Sequence, residues 1–105
     1  MKNKEEMQKI ITFGDYTILI ELPNRNKDLS YSKDNNIICF KSGKVVWQIQ
    51  QLLEEFSINN HLNYFSDIYF DITKEDNGEL KCIGFTNHCI IDVYQQKIIS
   101  IINNR

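Results

Sequence analysis

Two short apolar runs on either side of a Ser-Gly pair, IICFKSGKVVWQI at residues 37–49, constrain the fold of this chain most strongly. A two-residue turn between two such runs is typical of a β-hairpin. A turn at Ser42-Gly43 pairs Phe40 with Val45 and Ile38 with Trp47. We therefore expect one strongly apolar face that another part of the fold covers, made of Ile38, Phe40, Val45, Trp47 and Ile49.

The same pattern of short apolar runs and turns extends toward the N-terminus. Residues 9–13 and 16–22 flank Gly14-Asp15 and predict a second hairpin, which Pro23 ends because proline has no backbone N–H. Residues 24–36 are rich in Asn, Asp and Ser, which predicts a loop. The composition agrees, because isoleucine and aromatic residues favour strands and the chain contains no alanine.

The remainder of the chain predicts one helix and four more strands. Ile49, Leu52, Leu53 and Phe56 are spaced as one face of a short helix that frays near Asn59-Asn60. Short turns at 76–78, 87–88 and 95–96 then separate apolar runs at 66–73, 79–86, 89–94 and 97–102. The fold class is therefore mainly β: a single domain, residues 1–105, containing an antiparallel meander of about eight strands and one short helix. A sandwich, an open barrel and propeller-like blades all remain open.

The alternation of residues in the C-terminal strands predicts two different sheet faces. A turn at Asn87-His88 places Cys82, Gly84, Cys89, Ile91 and Val93 on an apolar face, together with Ile68, Phe70 and Ile72. The opposite face and its flanking turn hold aromatic groups beside carboxylates, a mixture common in protein-binding surfaces. The simpler reading is a second sheet face that is partly covered. The candidate partner-binding residues are Tyr69, Asp71, Thr73, Glu75, Asp76, Glu79, Lys81, Phe85, Asp92 and Tyr94.

Charge and motif searches predict no catalytic, metal or cofactor site. Residues 51–105 carry eight acidic and four basic side chains, a net charge of −4, which disfavours nucleic-acid binding and suits a basic protein partner. His88, Cys89 and Asp92 are the one trio that resembles a nucleophile, base and orienting group. Neighbours along a strand point to opposite faces, so we expect Cys89 to be buried and no enzyme activity.

The cysteines and the start of the chain predict a cytoplasmic protein. Three cysteines without a C-x-x-C pair argue against a disulfide framework. Glu5 and Glu6 stand where a signal peptide would have apolar residues, and no apolar run approaches transmembrane length. We therefore expect no membrane association. Because no catalytic site is predicted, we also expect no small-molecule substrate.

Three stretches within residues 36–50 and 66–102 share a hairpin pattern: NIICFKSGKVVWQI, IYFDI and LKCIGFTNHCIIDVYQQKII. They resemble small bacterial immunity proteins encoded beside polymorphic toxins, including those of contact-dependent growth inhibition systems. The chain departs from the usual pattern at Asn87-His88-Cys89 and at Gln95-Gln96, while residues 51–65 look like an insertion. Because such proteins bind through surfaces that differ with each toxin, the resemblance transfers no individual functional residues.

The resemblance implies a protein that neutralises one cognate toxin domain by forming a stoichiometric complex, with no active site or cofactor. Many such toxins are nucleases with basic clefts, which a carboxylate-rich face can fill. A generic β-sheet interaction module or adaptor is the alternative, and a small enzyme using His88 or the Asp71 and Asp92 neighbourhood is the third hypothesis.

Overall fold

The structure, a computed structural model, describes residues 8–21, 35–62 and 67–103. Of the loop predicted at residues 24–36, only Asn35 and Asn36 are among the described residues. Pro23 and Ser66 lie outside them as well. The described elements are eight strands and one helix. In chain order they are β1 (Gln8–Phe13), β2 (Tyr16–Glu21), β3 (Ile37–Lys41), β4 (Lys44–Gln48), α1 (Ile49–Asn59), β5 (Tyr69–Lys74), β6 (Glu79–Gly84), β7 (Asn87–Asp92) and β8 (Lys97–Asn103).

The strands form two antiparallel meanders, which confirms the predicted mainly-β class. Sheet A has the order β1-β2-β3-β4 and sheet B the order β5-β6-β7-β8, and neither sheet closes on itself. One apolar core takes side chains from both sheets and from α1. Its largest fully buried members include Trp47, Tyr69 and Phe13.

The helix α1 forms where the apolar spacing predicts it and connects the two sheets. Ile49, Leu52 and Leu53 are buried, and Phe56 packs against the core. Asn35, which precedes β3, accepts a hydrogen bond from the backbone N–H of Gln50 at 3.1 Å and so satisfies one of the free donors of the first turn. The helix ends with His61 at φ 57° while Leu62 donates to the Ser57 carbonyl, the Schellman arrangement.

A β-bulge in the first predicted hairpin corrects its expected core face. Lys41 pairs with Lys44 and Phe40 with Val45 as predicted, but Val46 is an extra residue that moves Trp47 opposite Cys39 instead of Ile38. Trp47 and Ile49 are buried as expected. Their partners in the core are Ile37 and Cys39, so the prediction that Ile38, Phe40 and Val45 are buried was wrong. The inserted residue changes the face that the rest of the strand presents.

A second bulge corrects the placement of Tyr69. Phe70 is an extra residue on β5, because Tyr69 pairs with Gly84 and Asp71 pairs with Ile83. Tyr69 therefore points into the core and is fully buried, while Phe70 points outward. The prediction that Tyr69 lies on the exposed face and Phe70 on the apolar face was wrong for this reason.

The turn between β6 and β7 lies at Phe85-Thr86 and not at the predicted Asn87-His88. Cys82 consequently pairs with Cys89 and Lys81 with Ile90, which replaces the predicted pairs with Val93 and Tyr94. The turn moves by two residues and each pairing partner on β7 by four, an even number, so the residues of β6 and β7 keep their predicted faces and the apolar face of these two strands is confirmed. The buried Asp67 holds the turn in place, since its carboxylate accepts the backbone N–H groups of Thr86 and Asn87 at 3.2 and 3.0 Å.

The two sheets meet along β1 and β5, where side chains replace backbone pairing. The Lys9 ammonium on β1 donates to the Ile72 carbonyl at 2.7 Å and to Asp71 at 2.8 Å. The Lys74 ammonium on β5 donates in return to the Thr12 carbonyl at 2.9 Å. The buried Asn36 amide joins the sheets farther along by donating to the Tyr69 carbonyl at 2.6 Å and the Glu21 carbonyl at 2.8 Å.

Candidate functional site

The predicted partner-binding residues do not form one continuous surface. Glu75, Asp76, Glu79, Asp92 and Tyr94 lie together at one end of sheet B, and we call this group the turn-end surface. Thr73 and Lys81 are cross-strand neighbours in the middle of the outer face. Phe85 lies at the opposite end, where its ring contacts Phe70 edge to face at 5.6 Å. Asp71 takes part in the sheet–sheet seam, and Tyr69 lies in the core.

Tyr94 is the centre of the turn-end surface, because it is exposed and yet held in a fixed position. Its ring packs edge to face on Tyr16 at 5.5 Å and on Phe13 at 6.4 Å, both from sheet A. A Cβ at Gly78 would lie 2.7 Å from the Tyr94 ring, so only glycine fits beneath it. The side chain remains 52% exposed. An aromatic group that loses little freedom on binding is a good anchor for a protein partner.

Four carboxylates lie at the same end of sheet B as this tyrosine. Glu79 and Asp92 are directly opposite each other on β6 and β7, a like-charge pair that is unfavourable in the free protein. Asp92 also pairs in register with Lys97 and accepts the Gln95 N–H at 3.0 Å. Glu75 and Asp76 are exposed in the adjoining turn. Lys74 and Lys97 at these strand ends offset two of the four negative charges, and Lys41, which lies 5.1 Å from the centre of the Tyr16 ring, offsets a third. The one remaining negative charge complements a basic partner.

Sequence reasoning found Tyr94 but missed the residues that hold it. Phe13 and Tyr16 belong to the other sheet, and only the tertiary structure brings them to this turn. Gly78 carried a signal, because an Asn-Gly pair predicts positive φ, and both Asn77 and Gly78 have it. Nothing local in the sequence indicated that Gly78 leaves space for an aromatic ring.

The residues of the catalytic hypothesis lie apart. His88 points to the outer face of β7, whereas Cys89 is fully buried and contacts the Tyr69 hydroxyl at 4.0 Å. Asp92 lies at the turn end, and Asp71 is bound to Lys9 at the seam. Among the described residues, no three His, Cys, Asp or Glu side chains converge as a metal site requires.

A groove of about 220 Å³ lies between α1 and the start of β8. Its walls combine apolar groups with one residue of each charge. They are Leu52, Glu55, Phe56, Asn59, Asn60, Lys97, Ile98 and Ile99.

The buried cysteines are chemically protected. All three are free thiols inside the core. Burial raises the pKa of Cys39 to about 11 and raises the pKa of Cys82 well above its usual value. Burial, and then the neighbouring Cys89 and Cys82, also raise the pKa of Tyr69. Because the thiolate is the reactive form, Cys39 and Cys82 are poor nucleophiles.

Comparison of the chain with protein families, with curated proteins and with solved structures finds no match in any of the three. Within the part of the chain that the structure describes, no helix is both long enough and apolar enough to cross a bilayer.

Proposed function

We propose that this chain is an immunity protein that binds a cognate bacterial toxin domain and neutralises it through the turn-end surface. The observation that carries the proposal is Tyr94, an exposed aromatic ring packed against Phe13, Tyr16 and Gly78 at the end of sheet B that also carries Glu75, Asp76, Glu79 and Asp92. The family resemblance adds the class of partner. In this proposal the complex forms in the cytoplasm and needs no cofactor, nucleic acid, membrane or small molecule.

The charge of the surface defines the expected partner. Glu75, Asp76 and Glu79 surround one turn and add a negative field beside the anchor. A basic substrate cleft, such as that of a nuclease, is complementary to both features. Opposite charges raise the association rate, and the desolvated tyrosine slows dissociation.

The first experiment is co-expression with the C-terminal region of the protein encoded immediately upstream. A stable one-to-one complex and restored growth are the expected results. Absence of both a complex and toxicity would overturn the immunity function. A complex with a partner that is not toxic would instead favour the alternative, a general protein-interaction module.

Charge reversal tests the surface itself. The double variant Asp76→Lys and Glu79→Lys should reduce the association rate about tenfold or more at low salt, because it replaces attraction with repulsion. The matched control is Glu54→Lys with Glu55→Lys, which makes the same charge change on the exposed side of α1. Surface plasmon resonance measures both. Equal rates for the two double variants would rule out the turn-end surface as the interface.

A further inference from the structure

The turn between β5 and β6 contains the one Asn-Gly pair of the chain, Asn77 and Gly78. Asn77 has φ 62° and Gly78 has φ 76°, and the Glu79 N–H donates to the Asp76 carbonyl across the turn at 3.2 Å. Positive φ at both central residues is the mark of a type I′ turn. The pair therefore lies at the tip of a hairpin, between two carboxylates of the turn-end surface.

Two neighbouring groups of this turn are free to react with each other. The Asn77 side chain is exposed, and within the described residues neither its amide nor the Gly78 N–H makes a hydrogen bond. Two other asparagines differ in this respect. The Asn60 amide donates to a carbonyl of α1 at 2.8 Å, and the Asn87 amide donates to the Thr86 hydroxyl at 3.0 Å. A reaction at Asn77 breaks no such bond of the amide, whereas a reaction at the other two does.

The packing of Tyr94 keeps the reactive pair in place. A backbone nitrogen reaches the side-chain carbonyl carbon of the preceding asparagine most easily when its own residue has no Cβ. A Cβ at Gly78 would lie 2.7 Å from the Tyr94 ring, so this position requires glycine. The contact that holds the aromatic ring therefore also maintains an unhindered nucleophile next to Asn77.

We propose that Asn77 is a site of spontaneous covalent modification, at which the backbone nitrogen of Gly78 displaces ammonia from the side-chain amide. The nitrogen loses its proton and bonds to Cγ of Asn77, while the Cγ–Nδ2 bond breaks and ammonia leaves with that proton. Water then opens the cyclic imide at either of its two carbonyls, which gives aspartate or isoaspartate. The reaction consumes one water molecule and needs no enzyme, metal or oxidant.

The product changes the turn-end surface in charge and in shape. One carboxylate is added between Asp76 and Glu79, and in isoaspartate the main chain also lengthens by one methylene in the turn against which Tyr94 packs. The effect on a partner rests on the proposed function: the isoaspartate form should bind a toxin more weakly, because the position of the anchor ring changes. The modification itself requires no partner.

Peptide mapping by mass spectrometry tests the proposal, after incubation of the full chain at physiological temperature and mildly alkaline pH. Asn77 should exchange its amide for an acid at least about tenfold faster than Asn60 and Asn87, which serve as controls within the same chain. Two product peptides of equal mass, one with aspartate and one with isoaspartate, should separate by chromatography. The rate should rise with pH, because the attacking N–H must lose its proton.

The variant Asn77→Gln keeps the amide but requires a six-membered imide, so the modification at this position should disappear. Thermal melting checks that the variant is folded. The proposal is overturned if Asn77 keeps its amide or reacts no faster than Asn60 and Asn87. Toxin binding by the incubated natural chain, compared with Asn77→Gln treated in the same way, is a separate measurement. Equal binding by a modified chain would leave the modification established and count against the turn-end surface as the interface.

Discussion

The three cysteine thiols show at the scale of single residues how burial changes chemistry, because each lies in the core and none forms a disulfide. Cys39 is the most useful of them for measurement, since its pKa of about 11 compares with an ordinary value of 9.0. Such a shift connects the ionisation of one atom to the stability of the whole domain.

Stability should fall between about pH 9 and pH 11. The raised pKa means that Cys39 ionises in the unfolded chain first, so its contribution is complete below pH 9 and is lost as pH rises to 11. The loss is on the order of 2–3 kcal/mol. Urea unfolding at about pH 8 and pH 10.5 measures it. The difference in free energy of unfolding between the natural chain and Cys39→Ala should be smaller at pH 10.5 than at pH 8. An equal difference at both pH values would contradict the raised pKa of Cys39.

Gly84 is required because of its neighbour Asp67. A Cβ at this position would lie 2.5 Å from an Asp67 carboxylate oxygen. Gly84→Ala should therefore destabilise the fold by about 2–3 kcal/mol, through overpacking and displacement of the carboxylate that holds the β6–β7 turn. Chemical denaturation measures the effect. The same substitution in an Asp67→Ala background should cost at least about 1 kcal/mol less, and simple additivity would show that the two residues are not coupled.

Among the strands, β4 shows how one bulge assigns neighbouring residues to different environments. Val45 is exposed, Val46 is the extra residue, and Trp47 is buried. The buried Trp47 indole N–H has no hydrogen-bond partner, so packing against the core is what holds this side chain in place.

Truncation of β4 at two positions tests this assignment. Trp47→Ala should cost about 3–5 kcal/mol, because it leaves a large cavity between sheet A and α1. Val45→Ala on the same strand should change stability by less than about 0.5 kcal/mol. Urea denaturation of both variants checks the contrast. Similar values for the two substitutions would mean that β4 presents its other face to the core.

For the whole molecule, the seam between β1 and β5 is a polar joint between the two sheets. Both are edge strands, and exposed edges invite pairing with other chains. Here the ammonium groups of Lys9 and Lys74 instead donate hydrogen bonds to backbone carbonyls of the opposing edge strand. The ion pair between Lys9 and Asp71 is nearly half exposed and adds little by itself. It explains, however, why Asp71 is a poor residue for testing partner binding.

Removal of both lysines should loosen this joint. Lys9→Met with Lys74→Met keeps most of the apolar stem of each side chain but removes two bonds to carbonyls, and we expect a loss of about 1–2 kcal/mol. Hydrogen exchange of the β1 and β5 amides should accelerate more than that of β2 and β6. Lys81→Met, on the outer face of sheet B, is the control. Uniform exchange in the double variant would show that the core alone holds the sheets together.

The sequence by itself determined the elements of the described residues: eight strands, one helix and most of the turns between them. These depend on residues near in the chain, such as the apolar spacing of α1 or the Ser42-Gly43 turn, where both residues have positive φ. The register of β6 and β7 depended on a distant carboxylate, because Asp67 supports a turn at Phe85-Thr86 that has no positive φ.

Only the tertiary structure decided which residues of β3, β4 and β5 are buried. The bulges at Val46 and Phe70 satisfy packing between sheets, and each reverses the alternation of the strand that contains it. Tyr69 thereby left the candidate site, and Ile38, Phe40 and Val45 became an outer surface. The turn-end surface also depends on both sheets, since Tyr94 is held by residues about 80 positions earlier in the chain. A local pattern cannot predict these contacts, because their energy arises only when the two sheets meet.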